Sequence, residues 1–174
     1  FYHEMAVKVP LIIADPRPEA DKTRGLVTDE LVEMIDLAPT FMAALGSKAK
    51  PHIIEGRDLT PILHGTDGFS RKYVISEHDY HWSEMAKALQ QPQEHAHTTM
   101  IFDGRWKFIR CEKFRPMLFD LETDPNELTD LGASMDPEHI AGRERMNVAL
   151  LDWAKRHHSR ITAPPEVLAR QKLA

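Results

Sequence analysis

The chain has one cysteine, Cys111, among its 174 residues, so no disulfide can form within it and packing alone must hold the fold. That usage suits a reducing compartment, and a cytoplasmic location is expected. A basic stripe is also missing. The 22 lysines and arginines are scattered among 27 acids for a net charge of -5, which argues against a nucleic-acid partner. No apolar run approaches the roughly 18 residues of a membrane span; the longest, Val9 to Ala14, is interrupted by Pro10. No membrane partner is expected. The sequence opens on Phe1 with neither methionine nor a signal-like segment, and a piece cut from a longer protein is the expectation.

What is present is a globular composition, 42% hydrophobic and 28% charged, long enough for one core or a core with a small annex. The most informative stretch is Met117 to Gly132, M-L-F-D-L-E-T-D-P-N-E-L-T-D-L-G. Met117, Phe119 and Leu121 alternate with Leu118 and Asp120, which predicts a strand. Asp124-Pro125 stops it, since proline has no N–H for a neighbouring strand. Asp124 can bond forward and nucleate a turn or short helix through Asn126, Glu127 and Leu128.

Three more strands are predicted at Tyr73–Glu77, Thr98–Phe102 and Arg105–Arg110, the last two joined by Asp103-Gly104 as a two-residue hairpin turn. Trp106 and Phe108 share a face. Asp136-Pro137 opens a helix whose stripe Met146, Ala149, Leu150, Trp153 and Ala154 can cover that face, with Arg143, Glu144, Asp152, Lys155 and Arg156 toward water. Residues 69–160 are therefore expected to form a small α+β subdomain, a four-stranded antiparallel sheet with a covering helix. The tail, residues 161–174, cannot continue that helix past Pro164-Pro165; it is a disordered end or an arm on another subunit of a homo-oligomer.

Residues 1–68 have a different texture. Val9 to Ala14, apolar on both faces, predicts a strand buried in a mostly parallel sheet whose other strands lie outside this chain. Asp36 is placed to cap a helix with Leu37, Phe41, Ala44 and Leu45 on one stripe, Pro39 in its first turn and Gly46 after its end. As a lone carboxylate Asp36 is also a conceivable metal ligand, but capping is the stronger reading. Asp58 caps a second short helix through Leu63, which Gly65 closes.

Four of these segments, in order, resemble the C-terminal third of sulfatases and phosphonate monoester hydrolases of the alkaline phosphatase superfamily. Met117 to Gly132 is similar to the signature Y-D-L-x-x-D-P-x-E-x-x-N-L, with Phe119 for the tyrosine and Asp130 for the asparagine. The opening is similar to Y-x-E-x-x-R-V-P-L-I-I through Tyr2, Glu4, Val9, Pro10 and Leu11, with Lys8 where arginine is usual. D-L-A-P-T and E-G-R-D-L-T-P-I-L-H-G resemble two further shared segments. The resemblance implies an α/β fold: the C-terminal part of an alkaline phosphatase-like parallel-sheet domain, residues 1–68, followed by the α+β subdomain.

It also implies a chemistry. The family uses a formylglycine made from cysteine in C-x-P-x-R and a divalent metal (calcium, manganese or magnesium) held by Asp, Asn and His, acting on small-molecule sulfate, phosphonate or phosphate esters. Here the cysteine reads Cys111-Glu112-Lys113-Phe114-Arg115, with lysine where proline is required, and it continues a strand. The D-H-G ligand element is absent. No catalytic residue is therefore assigned in this chain, and both metal and formylglycine are expected outside it. Lys8 corresponds to the structural arginine and receives no catalytic role.

Glu77 to Thr98 is a long irregular insertion carrying His78, His81, His95 and His97 near Asp79 and Glu84. Imidazoles and carboxylates can ligate metals, but H-x-x-H and H-x-H at these spacings match no specific site, and a solvated loop is preferred. Long loops on rigid scaffolds often border active sites, which makes Tyr80, His81 and Trp82 the candidate substrate-mouth residues. Two rival readings remain: a non-catalytic α+β interaction or oligomerisation module, and a metal-binding protein built on the histidine loop.

Overall fold

The computed structural model describes residues 2–158, 163, 164, 166 and 167. In chain order the elements are α1 (Glu4–Val7), a 3-10 turn (Pro18–Thr23), a second 3-10 turn (Met34–Asp36) leading into α2 (Leu37–Ala44), α3 (Thr60–His64), β1 (Val74–Asp79), α4 (Glu84–Leu89), a third 3-10 turn (Gln93–His95), β2 (His97–Phe102), β3 (Trp106–Cys111), β4 (Met117–Asp120), a fourth 3-10 turn (Leu131–Ala133) and α5 (Pro137–His158). They fall into two compact units, Phe1–Pro10 with Lys72–Trp153, and Leu11–Arg71 with Ala154–Ala174.

The first unit is built on a four-stranded antiparallel sheet in the order β1-β2-β3-β4. Register follows the alternation of side chains: Ile101 pairs with Phe108 and Phe108 with Leu118, which aligns one apolar row across three strands. That row, with Trp106, packs against Met146 and Leu150 of α5, and Ala149 and Trp153 lie at its margin. Burying Phe108, 2% exposed, contributes about 2–3 kcal/mol. Asp136 starts α5 by accepting the Glu138 N–H at 2.8 Å. Ala154 is exposed, and Arg143 turns inward to donate to the carbonyls of Leu131 and Ser134 at 3.1 and 2.8 Å.

The hairpin turn differs by one residue from the prediction. Asp103 N–H bonds Trp106 O, so Gly104 and Arg105 are the central pair, and only Gly104 has a positive φ, 101°. Glycine first is the type II′ arrangement. The Asp103 carboxylate supplies the rest, taking the N–H groups of Arg105 and Trp106 at 3.0 and 2.7 Å.

The opposite face of the sheet is covered as well. Tyr2 packs there with Met100 and Ile109, flanked by Val7, Phe102, Met117 and Phe119. The opening residues thus lie across the sheet with a single turn of helix, α1. A four-residue turn is too short to show a hydrophobic period, and the sequence gives no sign of it.

The second unit has a polar centre. Asp36 and Thr40 are buried beside Leu59, with Thr40 Oγ1 donating to Asp36 O at 2.6 Å and accepting the Leu59 N–H at 2.9 Å. The second of these bonds ties D-L-A-P-T to the segment that starts α3. Pro39 and Thr40 face inward, whereas Phe41 and Leu45 of the expected apolar stripe are 59% and 86% exposed. Gly65, left-handed at φ 57°, closes α3.

The expected parallel sheet is not seen among the described residues. Val9 to Ala14 adopts no strand, and Ile12 is 91% exposed. Its β-branched, apolar composition favours extended backbone, but a strand needs a neighbour, and the chain offers none there. Nearly all of the tail, residues 161–174, lies outside the described residues, and with it the expected oligomerisation arm.

Candidate functional site

The long insertion between β1 and β2 is more ordered than its composition indicates. Ser83 caps α4 by accepting the Ala86 N–H at 3.3 Å, and Tyr80 N–H bonds Ala96 O at 2.8 Å, which pins the two ends of the insertion together. Tyr80 itself is 4% exposed, in a small cluster with Ala86 and Ala96. Burial pushes its phenol above the ordinary value.

The next two residues point elsewhere. His81 Nδ1 lies 2.7 Å from Asp79 Oδ1, which also accepts the His81 N–H at 2.9 Å. These bonds, the backbone one foremost, hold the Asp79 carboxyl below the usual carboxylate range. The Trp82 indole is 86% exposed with its ring 4.4 Å from the His81 ring. The three candidate residues therefore divide into a buried anchor, Tyr80, a half-buried His81 held by the Asp79 turn, and an exposed Trp82.

The four histidines do not converge. His78 sits opposite Thr98 and His97 opposite Asp79 in the β1–β2 register. Among the described residues no three His, Cys, Asp or Glu side chains are arranged to hold a metal ion. Asp36 is committed too: Oδ1 accepts from the Arg57 N–H at 2.7 Å and from Arg71 Nη2 at 2.5 Å, and Oδ2 from the Glu33 N–H at 2.7 Å. It stands at the N-cap position but its carboxylate makes no bond into α2, reaching back to Glu33 and across to Arg57 instead. Arg71 also pairs with Glu33. A second carboxylate in that unit, Asp15, is gripped by Arg17 Nε and Nη2 at 2.9 and 2.6 Å and by His64 Nε2 at 2.9 Å. The Arg17 bonds lead in holding its carboxyl well below the usual range.

Cys111 ends β3, partly buried, and burial pushes its thiol up, away from the thiolate that a nucleophile requires.

The least expected arrangement surrounds Lys107. It lies on the sheet face opposite Trp106 and Phe108, fully buried. Its ammonium has three donors, and each finds an acceptor: Tyr2 O at 2.8 Å, Glu4 Oε1 at 2.7 Å and Glu127 Oε1 at 2.6 Å. Glu127, left-handed at φ 54°, directs a carboxylate that is 4% exposed under the sheet, and its Oε2 accepts the Glu4 N–H at 2.7 Å. Tyr2 completes the clamp by donating its hydroxyl to Thr98 O at 2.7 Å. The glutamates of Y-x-E and D-P-x-E, 123 residues apart, therefore meet on one lysine. A signal was available: Met100, Ile109, Met117 and Phe119 make Lys107's face apolar, so a lysine among them had to find partners.

Residues 1–155 match the protein family described as "N-sulphoglucosamine sulphohydrolase, C-terminal". Arylsulfatase K of Xenopus laevis is 27% identical over 175 residues, taking in 99% of this chain and 30% of that protein. The multifunctional alkaline phosphatase superfamily protein PehA of Trinickia caryophylli is 26% identical over 163 residues, 91% of this chain and 31% of that one. Among solved structures, the phosphonate monoester hydrolase SpPMH from Silicibacter pomeroyi aligns with a TM-score of 0.66 at 27% identity, covering 76% of this chain and 26% of that one. The chain thus spans less than a third of the length of these relatives.

Proposed function

Because the chain belongs to the sulfatase and phosphonate monoester hydrolase family of the alkaline phosphatase superfamily, as its C-terminal domain, we propose that it is the C-terminal part of a metal-dependent hydrolase of sulfuric or phosphonic esters. Its contribution is a clamped scaffold and one border of the substrate entrance. What carries this reading is the family match over residues 1–155 in a chain without C-x-P-x-R.

In the whole enzyme a divalent metal and a formylglycine would supply the electrostatic and nucleophilic chemistry. The residues here do not fit either group. Cys111 lies in the wrong pattern with a raised thiol, and no metal-holding cluster exists among the described residues. Both groups therefore belong to the part of the enzyme outside this chain, and no bond-breaking step is assigned to residues 1–174.

The insertion contributes binding. Tyr80 anchors the turn in its small core, Asp79 sets the His81 ring, and the exposed Trp82 indole offers a flat face to an aryl or sugar leaving group. Contacts of this kind act alike on bound substrate and transition state, so they govern apparent affinity more than turnover.

The test uses the protein of the complete reading frame, assayed on aryl sulfates and phosphonate monoesters with and without chelator. Chelator-sensitive turnover is expected there and none from the 174-residue chain alone. Trp82→Ala should raise KM or change leaving-group preference with kcat nearly constant. Turnover by the isolated chain that vanished with Cys111→Ala would overturn the assignment.

A further inference from the structure

Within the first unit, a cavity of about 190 Å³ lies where the connection from β3 to β4 meets α5. Phe108, buried in the core under α5, forms its floor, and Phe114, Pro116 and Asn147 line its sides. The connection turns back on itself, with the Phe114 N–H bonded to Cys111 O at 3.3 Å and Lys113 left-handed at φ 64°, which leaves the Phe114 ring 45% exposed at the mouth. Arg110 is the cation beside this apolar wall. Its side chain is 44% exposed, and its protein contacts are long: Nη1 donates to Asn147 Oδ1 at 3.4 Å, and Nε lies 3.5 Å from Glu112 Oε1. By contrast Arg105, Arg115 and Arg145 each hold a carboxylate at 2.7 Å, the usual length of a charge-assisted bond. Arg110 Nη2 meets no protein acceptor among the described residues, so the guanidinium keeps donors for a ligand.

We propose that this cavity binds a small aromatic anion, a single ring carrying a carboxylate or sulfate group. Its size fits one ring, since an apolar cavity of about 150 Å³ already admits benzene. Phe108, Phe114 and Pro116 offer the ring an apolar, partly aromatic lining. The planar fork of Arg110 takes the two oxygens of the anionic group, a geometry that lysine could not supply. Charge favours the same ligand: Arg110 and Lys113 against Glu112 leave one positive charge in excess on this rim, in a chain whose net charge is -5. An anion without a ring would leave the apolar wall wet, and a ring without an anion would leave Arg110 unused. The cavity shares no residue with the insertion assigned to the substrate entrance, so it does not depend on hydrolysis.

Fluorine NMR of 4-fluorobenzoate with the complete protein of the reading frame tests the site. Saturable binding is expected, weakened about tenfold or more by Arg110→Gln, which removes the charge-assisted bonds, and also weakened by Phe114→Ala. Both side chains are about half exposed, so both variants should keep the parent Tm. Glu112→Gln frees the guanidinium and removes a like charge beside the ligand; it should tighten binding severalfold, a gain that a misfolded variant cannot imitate. Neutral 4-fluorobenzyl alcohol, and inorganic sulfate measured by competition, should each bind about tenfold more weakly or worse. Trp82→Ala, at the substrate entrance, should leave the binding unchanged. Equal binding of the alcohol would remove Arg110 from the site, equal binding of sulfate would reduce it to an ion contact, and either would overturn the proposal. So would an absence of saturable binding, or binding that Trp82→Ala abolishes and Arg110→Gln leaves intact.

Discussion

Replacing Lys107 with methionine keeps the aliphatic stem in the sheet and removes all three ammonium donors. Glu127, 4% exposed, is then left without its cation, and the buried Tyr2 carbonyl without its donor. Removing one partner of a buried ion pair typically costs about 3–5 kcal/mol, because the survivor keeps its desolvation penalty. Glu4 is 23% exposed and recovers part of its hydration, so about 3–4 kcal/mol is expected here. With a urea m-value of about 2 kcal/mol/M, the midpoint should fall by roughly 1.5–2 M. Circular dichroism follows the whole unit, while amide exchange of residues 2–8 should rise even in the absence of urea, since the clamp opens locally before the sheet does. Adding Glu127→Gln to Lys107→Met removes the stranded charge and keeps an acceptor for the Glu4 N–H, so the double variant should regain about 1–2 kcal/mol over the single one. A loss below about 0.5 kcal/mol for Lys107→Met, the ordinary range for a surface change, or a double variant weaker than the single, would refute the reasoning.

Three further outcomes are expected. Asp120 has its carboxyl lowered chiefly by the Arg105 hydrogen bonds, so its folded value lies below the unfolded value near 3.9; the stability it contributes is present above about pH 4 and is lost as pH falls through the folded value. Arg105→Ala should therefore be less stable than the parent at pH 7, with the two acid-unfolding curves converging below about pH 4. The Tyr2 phenol is pushed up to about 12, chiefly by burial, so stability present below its unfolded value near 10 should decline as pH rises through about 12; Tyr2→Phe should abolish that alkaline slope while costing about 1 kcal/mol at pH 8 for the lost bond to Thr98 O. At Gly56 an added Cβ would stand 2.0 Å from Ile35 O, a backbone atom that cannot move aside alone, so Gly56→Ala should destabilise the second unit by about 1–3 kcal/mol or more, as measured by exchange of the amides of α2 and α3.

The sheet was legible because its signals are local. Tyr73–Glu77, Thr98–Phe102, Arg105–Arg110 and Met117–Leu121 each alternate over at least one full pleat, and each was displaced by no more than two residues at either end. α5 followed from Asp136-Pro137 and its stripe. What failed was whatever depends on distant residues. Lys107 stands on an apolar face and so needs partners, but no spacing announces which ones, since Glu4 lies 103 residues away. Val9 to Ala14 has strand composition, yet composition cannot supply a neighbouring strand. The α2 stripe was legible on its helix, but its exposure in this chain was not, because amphipathicity states that a face is apolar without stating what covers it. Of the candidate residues, Trp82 lies at the surface, whereas Tyr80 goes inward because Ala86 of α4 and Ala96 beyond it are small and leave room for its ring.

The clamp also sets an order of events during folding. The β1-β2-β3-β4 meander joins neighbours in sequence, so its loops close early, whereas Tyr2 and Glu4 reach their partners only across separations of 96 to 123 residues. On the ribosome these first residues emerge before their partners exist, and at about 5–20 residues per second they wait on the order of ten seconds for Glu127. Through that interval Lys107 keeps its water and Tyr2 its exposure, and the opening segment becomes the last piece of the unit to be seated. Interactions made that late are absent from the transition state, so weakening the clamp should accelerate unfolding many-fold and leave the refolding rate of the sheet nearly unchanged.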